Sequence, residues 1–185
     1  MKIRFLSGNQ CKIAEAKSIL EKNYNIEIVS YDKKIEEIQT NDTEKLVKDK
    51  VLKAFNIIRK PIFVEHTGLY LEYLNDFPGG LTQIFWDSLQ ADKFSELIGR
   101  SSNSKAIAKT IIGYCDGRKI HYFKGEIGGR ISNEVRGDRS FQWDCIFIPD
   151  GYDKTFAELG DVKNEISMRR KALDEFLKHL RGENI

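Results

Sequence analysis

Short apolar strands alternate with amphipathic helices along this chain, and this alternation most limits the folds that the chain can adopt. Residues 2–7 have the composition of a buried strand, and residues 12–22 repeat apolar side chains at helical spacing. A second strand over residues 26–30 and a helix that ends before Pro61 repeat the unit. This order of elements predicts an α/β fold.

The middle of the chain adds an antiparallel element. Residues 106–114 and 119–124 are predicted strands, and Asp116 and Gly117 between them form a strong hairpin signal. Residues 127–132 continue this β region. The sequence therefore predicts a mixed sheet flanked by helices.

Other boundaries depend on single residues or on short apolar runs. We expect Thr43 to cap the second long helix and Ser167 to cap the last helix, because a hydroxyl oxygen can accept a hydrogen bond from the free N–H groups of a first turn. The remaining predicted elements are strands over residues 62–64, 69–73 and 145–148, and a short helix around residues 94–98.

Composition and charge limit the kind of protein. The 185 residues suffice for one domain with its own core, and we find no long apolar run and no basic-apolar leader, so we expect a cytoplasmic protein. The 30 basic and 28 acidic residues are interleaved and leave a net charge of +2, so no global field draws the chain to nucleic acid or to a membrane. Three widely spaced cysteines argue against a disulfide framework. Any site for a polyanion must therefore be local.

The first candidate site is the glycine turn that follows the first strand. Ser7, Gly8 and Asn9 precede a helix, so the backbone can approach an anion closely and the helix N-terminus offers N–H donors. Lys12 adds a positive charge. An ordinary strand-to-helix turn with a solvated lysine would show the same residues, and the segment lacks the spacing of a phosphate loop.

The second candidate site is a polar segment that we expect at the end of a buried strand, where α/β proteins place ligand-binding groups. Glu65 is a hard oxygen donor suited to magnesium, whereas His66 is a poor magnesium ligand. The alternative is that both side chains only cap the end of the strand.

Two further candidate sites lie in the last third of the chain. Phe141 and Trp143 can stack on a base while Asp144 accepts from its N–H groups, or they can form a core aromatic pair beside a capping aspartate. Lys163 and Arg169 place positive charge near the start of the last helix, against the helix dipole. That placement suggests an anionic or electron-rich ligand, and a solvated basic turn is the alternative.

Several motifs occur in a fixed order along nearly the whole chain. They are Ser7-Gly8-Asn9 with Lys12 and Glu15, Glu37-Ile38-Gln39, Val64-Glu65-His66-Thr67-Gly68-Leu69, Phe77-Pro78-Gly79, Phe141-Gln142-Trp143-Asp144, Phe147-Ile148-Pro149-Asp150-Gly151, Thr155-Phe156-Ala157-Glu158 and Lys163-Asn164 with Ile166-Ser167-Met168-Arg169. In this order they resemble the inosine triphosphate pyrophosphatase family. The order carries the resemblance more than any single motif does.

The resemblance implies a fold and an activity. The fold is a single domain over residues 1–185 with two lobes, an elongated mixed sheet flanked by helices, a cleft between the lobes and a homodimeric assembly. The activity is magnesium-dependent attack of water on the α-phosphorus of inosine, deoxyinosine or xanthosine triphosphate, which yields the monophosphate and pyrophosphate.

The resemblance also assigns roles to individual residues. The glycine turn and two lysines would contact phosphates, the aromatic segment would hold the base, and the start of the last helix would read its 6-oxo edge. The predicted site comprises the catalytic residues Lys12, Glu65 and His66, the metal ligand Glu65, and the nucleotide-binding residues Ser7, Gly8, Asn9, Lys12, Thr67, Gly68, Phe141, Trp143, Asp144, Lys163, Ser167, Met168 and Arg169.

The departures from the family pattern lie where chemistry is expected. His66 occupies the position of an aspartate that serves as the base or organises the metal, so we expect impaired hydrolysis, although a histidine can itself act as a general base. Met168 replaces a histidine that helps to recognise the 6-oxo group, and Gln142 replaces a glycine. Asn41 lies near the usual position of a metal carboxylate.

Three hypotheses about function follow. The main one is a sensor or regulatory subunit that binds inosine-type or xanthosine triphosphates and hydrolyses them poorly. A protein partner would recognise the nucleotide-bound conformation. The alternative is an active pyrophosphatase in which His66 is accommodated or acts as the base. The second alternative is an interaction module with a vestigial pocket. In the first two, magnesium is expected as part of the nucleotide complex or as a cofactor.

Overall fold

Seven strands form one mixed β-sheet in a computed structural model that describes residues 1–24 and 26–182. Residue 25 and residues 183–185 of the predicted 1–185 domain lie outside the described residues. The strands are β1 (Lys2–Leu6), β2 (Glu27–Tyr31), β3 (Ile62–Leu71), β4 (Phe77–Pro78), β5 (Lys105–Cys115), β6 (Ile120–Ile131) and β7 (Phe147–Pro149).

The strand order is β2-β1-β3-β5-β6-β7, and β4 pairs with β3. β1 pairs in parallel with β2 and β3, whereas β3, β5, β6 and β7 pair antiparallel, so the predicted mixed sheet is confirmed. β1 pairs with β3 only where Phe5 lies opposite Phe63, and β3 continues beyond the end of β1. The polar residues of β3 therefore lie beside the point at which β1 gives way to the glycine turn.

Helices flank the sheet and follow the amphipathic segments of the sequence. The last helix begins after Ser167, whose hydroxyl accepts a hydrogen bond from the backbone N–H of Arg170 at 3.2 Å, so the predicted cap is confirmed. None of the described helices is both long and apolar enough to cross a bilayer. The described α-helices are α1 (Gln10–Tyr24), α2 (Thr43–Ile58), α3 (Thr82–Phe94), α4 (Phe156–Leu159), α5 (Lys163–Ile166) and α6 (Met168–Leu180).

Three apolar cores join these elements. Phe63 belongs to the first core, with α1 and α6, while its neighbours Ile62 and Val64 belong to the second core with α2, because successive side chains of a strand point to opposite faces. The third core packs α3 against the far half of β3 and β5 and contains Trp143. We call the part built on the first two cores the first lobe and the part built on the third core the second lobe.

The polar segment at Glu65 lies in the middle of a strand, and the expectation that it ends one was wrong. β3 is a single strand of ten residues where the sequence predicts two short ones. Its backbone pairs with β5 from Ile62 opposite Cys115 to Leu71 opposite Ala106. Because β5 stays in register with β3 through the polar residues, their side chains do not interrupt the ladder.

Two helix starts also differ from expectation. Asp42 caps α2 by accepting a hydrogen bond from the N–H of Lys45 at 3.0 Å, and Thr43 is already helical, with its hydroxyl 2.6 Å from that of Tyr70. α3 begins at residue 82, well before the predicted short helix. The non-helical backbone of Gln90 (φ 54°, ψ 178°) interrupts the helical spacing of apolar residues in α3. The sequence pattern therefore does not predict this helix over its full length.

The two strands predicted over residues 119–132 are one strand, β6. Gly125 looks like a breaker, but a Cβ there would lie 2.1 Å from the carbonyl oxygen of Met168, so the glycine lets α6 pack closely on the sheet. The strand predicted over residues 145–148 starts later: residues Gln142–Cys145 form a 3₁₀ turn, and β7 begins at Phe147.

Candidate active site

A cleft of about 670 Å³ lies between the two lobes at the end of β1. One wall comes from the glycine turn, the loop over residues 33–39 and α2, and the other comes from the start of α3 and Gln142. Its volume is in the range of small-molecule sites. The charged residues that line it are Lys12, Lys33, Lys34, Lys50, Glu36, Glu37 and Asp87.

The glycine turn lines this cleft. The hydroxyl of Ser7 accepts a hydrogen bond from the N–H of Asn9 at 3.2 Å, and the side-chain oxygen of Asn9 accepts one from the N–H of Lys12 at 3.1 Å. A Cβ at Gly8 would lie 3.3 Å from the Cα of Lys34, so the turn packs closely on the opposite loop. The N-terminus of α1 therefore points into the cleft and can bind an anion.

Glu65 is held by two cations at the base of the cleft. Arg169 donates from Nε and Nη2 to the two Glu65 oxygens at 2.8 and 3.0 Å, and Lys12 Nζ lies 3.2 Å from Oε1. Burial alone would raise the pKa of Glu65, but Arg169 and Lys12 outweigh it and hold that pKa at about 2. Burial lowers the pKa of Lys12 although Glu65 opposes this. Glu65 is therefore a buried, ionised carboxylate.

Glu15 and Asp144 share Lys163, and Glu15 also accepts from Arg169. Glu15 accepts from Arg169 Nη1 and, at 2.5 Å, from Lys163 Nζ, which also lies 2.5 Å from Asp144 Oδ2. Burial raises the pKa of Asp144 to about 6 even with Lys163 beside it. Asp144 can therefore act as a hydrogen-bond acceptor or donor near neutral pH.

His66 lies on β3 beside this network, and it is 6% exposed. Its Nδ1 lies 3.3 Å from Glu37 Oε2, and Glu37 in turn accepts from Lys50 Nζ at 2.5 Å. Its Nε2 has no hydrogen-bond partner among the described residues. Burial lowers the pKa of His66 although Glu37 opposes this, and the shift favours the neutral imidazole.

A small cavity of about 10 Å³ adjoins the cleft and collects the residues predicted to hold a base. Lys163 Nζ lies 4.0 Å from the centre of the Phe141 ring, and the Arg169 guanidinium carbon lies at 5.8 Å. The ring is therefore covered by cations, and a base that stacks on it must displace them. The lining residues are Lys12, Thr67, Phe141, Gln142, Trp143, Asp144, Met168 and Arg169.

Several residues that the sequence predicts to bind nucleotide also have structural roles in the fold. Trp143 is 4% exposed and packs on Phe147 and Phe156, so it is a core residue, but its aromatic partners are not the Phe141 that the core alternative pairs with it. A Cβ at Gly68 would lie 2.4 Å from the carbonyl oxygen of Gly79, so that glycine is needed for packing. Ser167 is fully buried as the α6 cap.

Sequence reasoning left three residues out of the predicted site. Glu15 and Glu37 lie within motifs of the family resemblance but were given no role, although each contacts predicted site residues. Lys50 was missed altogether. The sequence could have indicated Lys50, because this residue lies on the predicted apolar face of α2 between Val47 and Ala54. A buried charge there needs a partner of opposite charge.

The donor set limits how a metal can bind. Among the residues that the structure describes, no three His, Cys, Asp or Glu side chains form a group that could hold a metal ion. Magnesium bound with a nucleotide needs only one or two protein carboxylates, since phosphates and water supply the other ligands. Glu36 and Asp87 also line the cleft. The site therefore fits magnesium that arrives as part of a nucleotide complex.

Together, the fold and the site define an open-sheet α/β protein with a lysine-lined cleft suited to a polyanionic ligand. Comparison with known proteins gives the family. The chain belongs to the Ham1 family, whose profile matches residues 3–179, and the resemblance to inosine triphosphate pyrophosphatases is confirmed.

Relatives and solved structures match over nearly the full length. A dITP/XTP pyrophosphatase of Methanopyrus kandleri is 40% identical over 179 residues, covering 95% of this chain and 94% of its own. One from Methanosarcina mazei is 36% identical over 183 residues, covering 98% of each. The structure of a HAM1 protein from Coxiella burnetii superimposes with a TM-score of 0.82 at 25% identity, covering 98% of this chain and 99% of that chain.

Proposed function

We propose that this protein hydrolyses inosine, deoxyinosine or xanthosine triphosphate to the monophosphate and pyrophosphate. The observation that carries the proposal is the lysine-lined cleft, which adjoins a cavity lined by Asp144 and Arg169. A triphosphate requires the cations of the cleft, and an oxopurine requires the polar groups of the cavity. Relatives named dITP/XTP pyrophosphatase support the same substrates.

The phosphates bind in the cleft. The glycine turn and the α1 N-terminus offer backbone N–H donors, and Lys12, Lys33 and Lys34 add positive charge around them. Lys12 is held beside Glu65, so its position is fixed before a ligand arrives. Such pre-organisation lowers the entropic cost of binding.

The base binds where Lys163 and Arg169 now cover Phe141. Both cations can donate to a 6-oxo group, and ionised Asp144 can accept from the N–H group beside it. Adenine carries an amino group at position 6. Its N–H donors would face the N–H donors of Lys163 and Arg169, with no acceptor between them. The pocket therefore favours oxopurines over adenine.

The chemical step is attack of water on the α-phosphorus, with cleavage of the bond to the oxygen that bridges the β-phosphorus. His66 Nε2 takes the proton of the water, and Glu37 orients the ring through Nδ1. The support is geometric: His66 lines the cleft, and its Nε2 is buried without a partner among the described residues. Magnesium bound to the phosphates would offset their negative charge.

The names of the relatives favour the active enzyme over the sensor. The sensor hypothesis depends on His66 being a damaged catalytic position, whereas its contacts with Glu37 suit a working base. Homodimer formation, the cytoplasmic location and a protein partner stay predictions.

The test is pyrophosphate release from a panel of nucleotides with magnesium. We expect turnover on the order of 1 per second or faster for inosine, deoxyinosine and xanthosine triphosphates, and at least roughly 100-fold lower kcat/KM for ATP. Lys12→Met should raise KM, and the exposed Lys119→Met in the β5–β6 turn serves as its matched control. Tight binding without pyrophosphate release would restore the sensor hypothesis, and the absence of binding would favour the interaction module.

A further inference from the structure

Three residues line both the main cleft and the small cavity: Lys12, Thr67 and Gln142. In a nucleotide the sugar joins the base to the phosphates. If the phosphates lie in the cleft and the base displaces the cations beside the cavity, as the proposed function requires, the sugar lies near these three residues. They therefore mark the sugar position that we expect.

Two of the three are already engaged with protein groups. Lys12 is paired with Glu65, and the hydroxyl of Thr67 lies 2.7 Å from that of Thr110. Gln142 differs, because its partner lies on the cleft wall: its amide nitrogen donates to the side-chain oxygen of Gln83, at the start of α3. Its amide oxygen can accept a hydrogen bond from a hydroxyl group.

The backbone of Gln142 has an unusual conformation. Its φ is 43°, in the left-handed region where a residue other than glycine is uncommon. A side chain at this position costs stability relative to glycine. Such a cost is typical of positions where the side chain has a role in binding, and the amide at the junction of the two cavities supplies one.

We propose that Gln142 binds a hydroxyl group of the nucleotide sugar and that Gln83 is its positioning residue. The inference rests on the proposed function. Gln83 holds the amide along the cleft wall before the ligand arrives, so that less side-chain entropy is lost on binding.

The experiment compares three substrates that differ only in sugar hydroxyls: inosine, deoxyinosine and 2′,3′-dideoxyinosine triphosphates. Gln142→Gly should lower kcat/KM roughly three- to tenfold for the substrates that carry the contacted hydroxyl and leave the dideoxy substrate unchanged. A loss for inosine triphosphate alone assigns the 2′-hydroxyl, and a loss for both inosine and deoxyinosine triphosphates assigns the 3′-hydroxyl. Equal losses on all three substrates, or no loss on any, would overturn the proposal.

A second variant tests the positioning role. Gln83→Ala should give a smaller loss with the same substrate dependence, and the double variant should lose no more than Gln142→Gly alone, because both changes remove one interaction. Ser88→Ala, on the exposed face of α3, is the control. Additive losses would remove Gln83 from the proposal.

Two measurements distinguish a failure of this proposal from a misfolded variant and from a failure of the proposed function. Gln142→Gly should be at least as stable as the parent protein in chemical denaturation, because glycine favours its backbone conformation, so a misfolded variant cannot explain the loss. A parent protein that releases no pyrophosphate from any of the three substrates rejects the proposed function itself. A parent protein that is active while its variants show no dependence on sugar hydroxyls rejects only the sugar contact.

Discussion

Arg169 contacts carboxylates that lie 104 and 154 residues earlier in the chain, at Glu65 and Glu15. The pair with Glu65 is buried and the pair with Glu15 is partly buried, so Arg169 balances two carboxylates and its removal would leave the buried charge of Glu65 with Lys12 alone, at a cost of about 3–5 kcal/mol. In the proposed function, Arg169 also binds the base of the nucleotide. Binding would then exchange carboxylate partners for the oxygens of the ligand, and the carboxylates hold Arg169 in place until the ligand arrives.

The proposed reaction depends more on His66 than on any other residue of the site. Replacing it by alanine removes the base that accepts the proton of the attacking water, so His66→Ala should lower kcat for inosine triphosphate by roughly 10²- to 10⁴-fold with a smaller change in KM. Glu37→Gln should lower kcat less, because the ring keeps its place but loses its carboxylate. Steady-state kinetics of both variants measure these effects.

His121→Ala is the matched control for His66→Ala, since His121 lies on β6 beside Asp116 in the hairpin turn and away from the cleft. Its kcat should stay within about twofold of the parent. Should His66→Ala keep full turnover, the proton acceptor must be sought elsewhere and Glu37 loses its orienting role.

Glu65 links the stability of the protein to pH. Its pKa is lowered in the folded state from 4.5 to about 2, so its contribution to the free energy of unfolding is present above pH 4.5 and is lost as the pH falls through about 2. The shift corresponds to about 3 kcal/mol. Denaturant unfolding of the parent and of Glu65→Gln between pH 5.5 and pH 2 should show the difference between them shrink by about this amount.

Other carboxylates titrate in both proteins, so only the difference between them reports on Glu65. Carbon-13 NMR titration of the Glu65 carboxyl group in the parent protein gives the same quantity without a substitution. A carboxyl signal that titrates near pH 4.5 would mean that Arg169 and Lys12 do not hold the carboxylate in solution.

At the scale of elements, local pattern was enough for three of the six described α-helices and for one hairpin. Helical spacing predicts α1, α2 and α6, and the Asp116-Gly117 pair predicts the β5–β6 hairpin, because these signals lie within one element. Some errors arose from local backbone geometry, as at Gln90, and others where a distant partner decides. β3 stays extended through its polar residues because β5 pairs with it.

The close approach of α6 to β6 gives an element-scale prediction. A methyl group at Gly125 would lie 2.1 Å from the carbonyl oxygen of Met168 and 2.5 Å from the nitrogen of Ala172, both in the α6 backbone. Gly125→Ala should therefore displace the helix and lower the free energy of unfolding by about 2–4 kcal/mol, measured in guanidinium chloride.

Gly128, on the same strand, provides the control for Gly125→Ala. A methyl group there would meet Asp150 Oδ2 at 2.4 Å, at the end of a side chain that can rotate away. Gly128→Ala should cost less than about 1 kcal/mol. Equal losses for the two variants would show that the α6 backbone yields as easily as a side chain.

At the scale of the whole molecule, the candidate site combines what the sequence could and could not predict. The glycine turn and His66 were identified because each lies in a short motif. The contacts of Lys163 with Glu15 and Asp144, and of His66 with Glu37, were not predicted. No local pattern encodes which polar side chains meet across a sheet. The order of motifs predicts a candidate site, and the fold determines which of its side chains contact each other.

The three cores share β3 and β5, which predicts that residues 1–185 unfold as one unit. Both tryptophans, Trp86 and Trp143, lie in the third core, so their fluorescence reports on the second lobe alone, whereas far-UV circular dichroism reports on the whole chain. If each lobe depends on the strands that run through both, the two signals should give the same denaturant midpoint and the same slope.

Added inosine triphosphate should move both midpoints together, because a ligand bound between the lobes stabilises the whole folded state. A fluorescence transition that separates from the circular dichroism transition would mean two independently folding lobes, and closure of the cleft would then be a motion between domains.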